Sequence, residues 1–230
     1  MRTRFSMILA TALCLAAVPP AEARKAGQSS GHSHHKGPSP KGTAGTYDYY
    51  VMALSWSPTY CQMHPDEEEQ CSHKGYGFVM HGLWPQYERG GGPEQCASDD
   101  EPDRKTVADT LAFMPSKGLI THEWRAHGAC TGLDPKAYFG LADRAFAEVH
   151  VPPELSAPSK PVVITSDRLR DAFKRANPAL GDDMLTMHCS RGELVEVRFC
   201  LDKQLKSRDC GKRMQSRCPA TASFTLPASN

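Results

Sequence analysis

The cysteine pattern constrains the fold of this chain more than any other feature. Nine cysteines occur among 230 residues, and Cys14 lies in a stretch that has the features of an export signal. The remaining eight are Cys61, Cys71, Cys96, Cys130, Cys189, Cys200, Cys210 and Cys218. An even set in an exported chain predicts up to four disulfides, each stabilising the fold by about 2–4 kcal/mol. The chain has no Cys-x-x-Cys pair, which argues against a zinc ribbon or a thioredoxin-type redox site.

The first 23 residues have the three parts of a secretory signal peptide. Arg2 and Arg4 form a basic start, residues 5–18 are apolar, and Ala21-Glu22-Ala23 supplies a small-x-small cleavage pattern. The apolar stretch is too short to cross a bilayer, which needs about 20 residues. We therefore expect export to a periplasm or the medium and no stable membrane association after cleavage. An uncleaved anchor or a buried core helix is the alternative interpretation.

The predicted mature chain is electrically balanced. Without residues 1–23 it holds 25 Lys+Arg and 25 Asp+Glu, which argues against a general nucleic-acid coating protein. Residues 24–45 are rich in Gly, Ser, Pro and Lys and lack hydrophobic periodicity, so we expect a disordered leader. Its histidines, His32, His34 and His35, could bind a metal loosely, although we interpret them as part of a solvated tail.

Residues 46–230 are long enough for one domain with a sizeable core. Strand character is predicted for residues 47–56, 77–83, 184–189 and 193–201, the last two joined by a turn at residues 190–192. Helices are predicted for residues 104–113, 118–128, 135–149 and 166–176. Because the order is strands, helices and strands again, the pattern favours an α+β domain over a doubly wound α/β sheet.

The stretch from residue 122 to 130 has the greatest density of chemically active side chains, and it first suggests a zinc protease. Such a site needs two histidines four residues apart on a helix, so that both face one ion. Here the fourth residue after His122 is Ala126. His127 is five residues away and would lie about 140° around a continuous helix from His122. The spacing therefore argues against a metalloprotease and predicts no metal site.

On the same helical wheel, His122, Glu123 and His127 lie on one face, while Trp124 points the other way, towards a core. A carboxylate beside a histidine can orient its ring and raise its pKa, as acid–base catalysts near neutral pH require. A second candidate, His81, stands where an apolar strand meets a Gly/Pro turn, a position suited to the mouth of a cleft.

The segments HGLWP, residues 81–85, and HEWxxHGxC, residues 122–130, together resemble the two active-site segments of the ribonuclease T2 family. The likeness extends to residues 47–61 and 193–202, and it covers most of residues 46–218. The resemblance implies a central, mostly antiparallel sheet with flanking helices. It also implies an endoribonuclease that acts on single-stranded RNA without a cofactor or metal and leaves 2′,3′-cyclic phosphate ends.

Carried over by position, the resemblance gives roles to four catalytic residues. His127 would be the general base that takes the proton of the ribose 2′-hydroxyl, and His81 the general acid that protonates the leaving 5′-oxygen. His122 and Glu123 would bind and polarise the phosphate. Such a histidine pair predicts a bell-shaped pH profile at mildly acidic pH. We expect a monomeric enzyme.

Three further residues are predicted to bind substrate. Trp84 is the expected stacking platform for a base, although core packing is an alternative role. Gln86 stands where some family members carry an acidic base-reading residue, so no base preference follows. Ala126 departs from the family pattern, which usually has lysine there. Arg125 has the missing charge but points about 60° outside His122 on the wheel.

The resemblance also predicts the disulfides. It pairs Cys96 with Cys130 and Cys61 with Cys71. For the last four cysteines we prefer Cys189–Cys218 and Cys200–Cys210, with other pairings left open. Ala126 motivates a second hypothesis about function, a catalytically impaired family member that binds RNA or signals.

Overall fold

A computed structural model gives the fold of residues 42–72 and 74–229. The predicted signal peptide, the histidines of the leader and most of the leader itself lie outside these described residues. Residues 42–45, which were assigned to the leader, contact the domain, and the backbone N–H of Gly45 donates to the carbonyl of Cys130 (2.9 Å). No helix in the described part of the chain is long and apolar enough to cross a membrane.

The described residues form six strands and six α-helices. The strands are β1 (Tyr49–Trp56), β2 (Phe78–Gln86), β3 (Val162–Ile164), β4 (Leu185–Ser190), β5 (Glu193–Leu201) and β6 (Phe224–Leu226). The helices are α1 (Ser57–Met63), α2 (Glu68–Cys71), α3 (Arg104–Thr110), α4 (Lys117–Ala126), α5 (Pro135–Ala147) and α6 (Ser166–Ala176). Short 3₁₀ turns cover Gly128–Thr131, Pro153–Leu155 and Asp182–Met184.

The strands join in one sheet of order β2-β1-β5-β6-β3, with β4 also paired to β5. All pairings are antiparallel except a short parallel contact between β5 and β6. The predicted α+β fold with a central, mostly antiparallel sheet and flanking helices is therefore confirmed.

The two faces of β1 pack against different neighbours, because successive side chains of a strand point to opposite sides. Its even-numbered residues, such as Met52 and Leu54, belong to the main core, which also holds Trp124 of α4 and Phe173 of α6. The odd-numbered face forms a smaller cluster that includes Val51, the Cys200–Cys210 disulfide and the partly buried Trp84. This second face of the sheet carries much of the candidate site.

The four predicted helices start where the sequence supplies a cap. Asp103, Ser116, Asp134 and Thr165 each accept a hydrogen bond from a backbone N–H three residues later. Helix α4, however, ends at Ala126, so His127 lies beyond the helix to which it was assigned.

The four disulfides have the expected connectivity, namely Cys61–Cys71, Cys96–Cys130, Cys189–Cys218 and Cys200–Cys210. The second of these joins the loop after β2 to the 3₁₀ turn after α4. Beside it, the backbone N–H of Gln95 donates to the carbonyl of Ala126 (2.8 Å). The end of α4 is thus fixed covalently and by hydrogen bonding against that loop.

Candidate active site

His81 lies on a β-bulge in β2. Ala53 of β1 pairs with Gly82, and Leu54 pairs with Met80, so His81 is an extra residue between two successive pairs. A bulge bends the strand locally and changes the direction of a side chain, which is one reason that bulges occur beside active sites. The imidazole is about one-third exposed, with 32% of its side-chain surface open to solvent.

Two glutamates flank the His81 ring. Its Nδ1 makes a short hydrogen bond to Oε1 of Glu196, a buried residue of β5. Its Nε2 lies 3.7 Å from Oε1 of Glu123 in α4. The second oxygen of Glu196 accepts from Nε and Nη2 of Arg198, at 2.8 and 2.7 Å. Glu196 therefore fixes the orientation of His81 and leaves Nε2 directed towards Glu123.

The electrostatics around His81 favour its protonated form. Burial lowers the pKa of His81, but the hydrogen bond to Glu196 and the charges of Glu196 and Glu123 outweigh burial and the opposing charge of Arg198, so the pKa is raised. For Glu196, burial raises the pKa, yet His81 and Arg198 together bring it down to about 2. The structure thus favours an imidazolium–carboxylate pair at mildly acidic pH.

The end of α4 brings His122, Glu123 and His127 together. His127 leaves helical geometry (φ −130°, ψ −47°), and one ligand atom from each of the three residues lies within 4.8 Å of the other two. The helical wheel placed the two histidines too far apart because it assumed a continuous helix, and that reason for excluding a metal is wrong. These three side chains could hold a divalent cation, whereas metal-independent catalysis stays a prediction.

Glu123 is fully buried, and only one of its two carboxylate oxygens has a hydrogen-bond partner among the described residues. Its Oε2 accepts a hydrogen bond from Nε1 of Trp84 (2.8 Å), while its Oε1 has no hydrogen-bond partner among the described residues. Burial raises the pKa of Glu123 to about 7, against smaller opposing effects of His81 and Trp84. The carboxyl group is therefore partly protonated near neutral pH, and its unpaired Oε1 faces His81.

The pKa of His127 is shifted in the opposite direction to that of His81. Burial lowers its pKa to about 4, the Glu94 charge opposes this effect, and His122 and His81 add to it. The ring of Trp84 lies 5.5 Å from that of His127 and 5.1 Å from that of His81, so it contacts both histidines. The surroundings thus favour the neutral form of His127 and the charged form of His81, and both rings contact the same indole.

The three predicted substrate-binding residues, Trp84, Gln86 and Arg125, differ in their contacts with the histidines. Trp84 contacts both histidines, and its use as a base platform stays a prediction. Gln86, at the end of β2, donates to the neighbouring carbonyl of Pro85 (3.0 Å). Arg125 pairs through Nε with Glu101 (2.8 Å) at an exposed position, and it lines the same cavity as His122, so its role in substrate binding stays a prediction.

A family model described as the ribonuclease T2 family matches residues 47–210. The chain belongs to the ribonuclease T2 family. The membership that the two histidine segments suggested is confirmed, and the matched range contains every side chain of the cluster described above.

Similar proteins support this assignment. A ribonuclease of Aeromonas hydrophila is 43% identical over 193 residues, which cover 77% of this chain and 82% of that protein. A probable ribonuclease of Haemophilus influenzae is 29% identical over 71% of this chain and 61% of its own length. Among solved structures, trichomaglin, titled a novel S-like ribonuclease, has a TM-score of 0.64 at 21% identity, covering 80% of this chain and all of its own. This structural likeness shows the shared T2 fold.

Sequence reasoning missed two residues of this cluster, Glu196 and Arg198. Both lie on the same side of β5, two positions apart, within an otherwise apolar strand. Charged residues in a buried strand require partners, since an isolated buried charge is costly. The pattern in β5 was therefore a usable signal, but it could not identify His81 as the partner.

Proposed function

We infer that this T2-family protein is an endoribonuclease that cleaves single-stranded RNA by metal-independent transphosphorylation. The observation that carries the mechanism is the contact of His81 and His127 with the same Trp84 ring, and their pKa values are shifted in opposite directions. A neutral base and a protonated acid are the two groups that phosphoryl transfer to an internal hydroxyl requires. The nucleophile belongs to RNA, so DNA should not be cleaved.

The reaction follows from the positions of the acid–base groups. Neutral His127 takes the proton of the 2′-hydroxyl, and the 2′-oxygen forms a bond to phosphorus. The bond from phosphorus to the 5′-oxygen breaks, and Nε2–H of His81 protonates the leaving oxygen. The products are a 2′,3′-cyclic phosphate and a 5′-hydroxyl end. Glu196 retains the Nδ1–H of His81 throughout, so that Nε2 delivers the proton.

Glu123 and His122 act on the phosphate. Because Oε2 of Glu123 already accepts from Trp84, the proton of its neutral form lies on Oε1, where it can be donated to a non-bridging phosphate oxygen. His122 is exposed beside His127, with 6.4 Å between the ring centres, and it borders the open side of the cluster. We propose that it supplies a further hydrogen bond to the same phosphate.

Analysis of end groups tests this function. The purified protein, incubated with a panel of dinucleotides in excess EDTA, should give 2′,3′-cyclic phosphate ends. Complete loss of activity on chelation, restored by a divalent cation, would instead support a metal held by His122, Glu123 and His127. RNA binding without cleavage would support the impaired family member that Ala126 suggested.

Activity should follow a bell-shaped pH profile. His127 acts only above its pKa of about 4, while His81 acts only below its raised pKa and Glu123 donates only below its pKa of about 7. The value of kcat/KM should therefore rise from about pH 4 and fall above pH 6.5. Glu196→Gln removes the carboxylate that raises the pKa of His81, and it should move only the upper limb to lower pH. An upper limb unchanged in this variant would contradict the assignment of His81.

We also propose that the chain is cleaved after Ala23 and acts as a monomer in a periplasm or outside the cell. Four disulfides are typical of a protein that folds in an oxidising, extracytoplasmic compartment.

A further inference from the structure

Among the described contacts, no lysine or arginine of helix α4 touches His81, Trp84 or His127. Its two basic residues are engaged elsewhere, Lys117 with Glu69 (2.7 Å) and Arg125 with Glu101 (2.8 Å). Ala126, the position between Arg125 and His127, has no charge, and its backbone carbonyl accepts from Gln95. A phosphodiester carries one negative charge and gains a second as the phosphorane forms, so the positive charge must come from another element.

Arg198 of β5 is the cation that the structure places against these side chains. Its Cζ lies 5.1 Å from the centre of the Trp84 ring, and that ring contacts both His81 and His127. Glu196 joins the guanidinium to the imidazole of His81, with one carboxylate oxygen on each. Arg198 therefore adjoins Trp84 and the Nδ1 side of His81, two of the groups that surround the proposed phosphate position.

Some N–H groups of the Arg198 guanidinium are not used by Glu196. Of its five N–H groups, Nε and Nη2 use two on Glu196, and no other acceptor contacts it among the described residues. The side chain is 28% exposed, so the remaining donors are open to a ligand. A residue that served only to neutralise Glu196 would not need an accessible edge.

The charges of the cluster lead to the same assignment. Protonated His81, ionised Glu196 and Arg198 together carry one positive charge, which matches a bound phosphodiester. Without Arg198 the same group would be neutral. A fixed cation is most effective in a partly desolvated site such as this one.

We propose that Arg198 is a further catalytic residue, whose guanidinium donates to a non-bridging oxygen of the scissile phosphate and stabilises the charge of the phosphorane. It thereby does from β5 what a cation at position 126 would do from α4. The inference rests on the proposed function, because it concerns the phosphate that His81 and His127 act upon.

Two substrates that differ only in the leaving group distinguish direct stabilisation of the phosphorane by Arg198 from an effect that acts through Glu196 and His81. A dinucleotide needs an acid to release its 5′-oxygen, whereas a ribonucleoside 3′-(4-nitrophenyl phosphate) releases a stable anion without one. R198Q should lower kcat on both substrates by a similar factor of about 10². H81A, the control for loss of the acid, should slow the dinucleotide greatly and the nitrophenyl ester little.

The proposal is overturned if R198Q leaves both rates unchanged, or if it slows the dinucleotide alone. The second result would make Arg198 a positioning residue that acts through Glu196 and His81. R198K, which keeps the charge and is the milder change to the fold, should retain more activity than R198Q on both substrates. Thermal unfolding of each variant checks that the fold is intact.

A lysine introduced at position 126 tests whether a cation there and Arg198 stabilise the same charge on the phosphorane. A126K should raise kcat at least tenfold more in the R198Q background than in the wild type. If A126K changed kcat by the same factor in the wild type and in R198Q, the two cations would not stabilise the same charge. The proposed function fails separately, since it is rejected only if the wild-type protein itself produces no cyclic-phosphate ends in EDTA.

Discussion

The variant His127→Ala should lose about 10³-fold in kcat/KM on a dinucleotide, because it removes the proposed general base. His81→Ala should lose a similar factor through loss of the acid. The double variant should be little worse than either single variant, since the two histidines act in one concerted proton transfer. Steady-state rates at mildly acidic pH, with end groups identified, provide the measurement.

His150 offers a matched control for this experiment. It is an exposed histidine after α5 whose backbone N–H is bonded to the side chain of Asn177 (2.8 Å). Its replacement with alanine should leave kcat/KM unchanged. If His127→Ala retained more than a tenth of the wild-type rate, the base would have to be sought elsewhere, with His122 the next candidate.

The variant Gly82→Ala should impair activity and stability together. A Cβ at this position would lie 2.0 Å from Oε2 of Glu123 and 2.3 Å from Nε1 of Trp84, so it would break the hydrogen bond between them. We expect kcat to fall by about 10²-fold through displacement of Glu123. The free energy of unfolding should fall by about 1–3 kcal/mol through overpacking. Kinetics and urea denaturation measure the two effects.

Gly140 is the comparison residue for this substitution. It lies within α5, and an added Cβ would meet only Arg144 Nη1, at 4.0 Å. Gly140→Ala should therefore leave kcat unchanged and increase the free energy of unfolding by up to about 1 kcal/mol, the helix propensity difference. Full activity in Gly82→Ala would show that the Trp84–Glu123 hydrogen bond is not needed.

The fold was predictable where local patterns carry most of the information. Asp134 followed by Pro135 marks the start of α5, and the alternating residues of β4 and β5 mark a hairpin. Helix α2 and strands β3 and β6 were missed because each is only three or four residues long, and the seven-residue helix α1, which directly follows β1, was missed as well. Such elements form through contacts with distant parts of the chain, as when β3 pairs with β6 about 60 residues later.

The site was predictable in its residue types and less so in its geometry. His81 and the segment at residues 122–127 were found because they are adjacent to glycine and aromatic residues in two recognisable motifs. Helix α4 ends before His127 because the backbone angles of His127 are not helical, and a helical wheel assumes helical angles throughout. The contact between His81 and Glu196 spans 115 residues and depends on a bulge in one strand and on the register of another.

The Cys96–Cys130 disulfide has a consequence for the cell that makes this enzyme. The bond, with the Gln95–Ala126 hydrogen bond beside it, holds the loop after β2 against the turn that follows His127. A chain with reduced thiols lacks this constraint beside His127. We expect full nuclease activity only once these thiols are oxidised, which restricts the activity to an oxidising compartment.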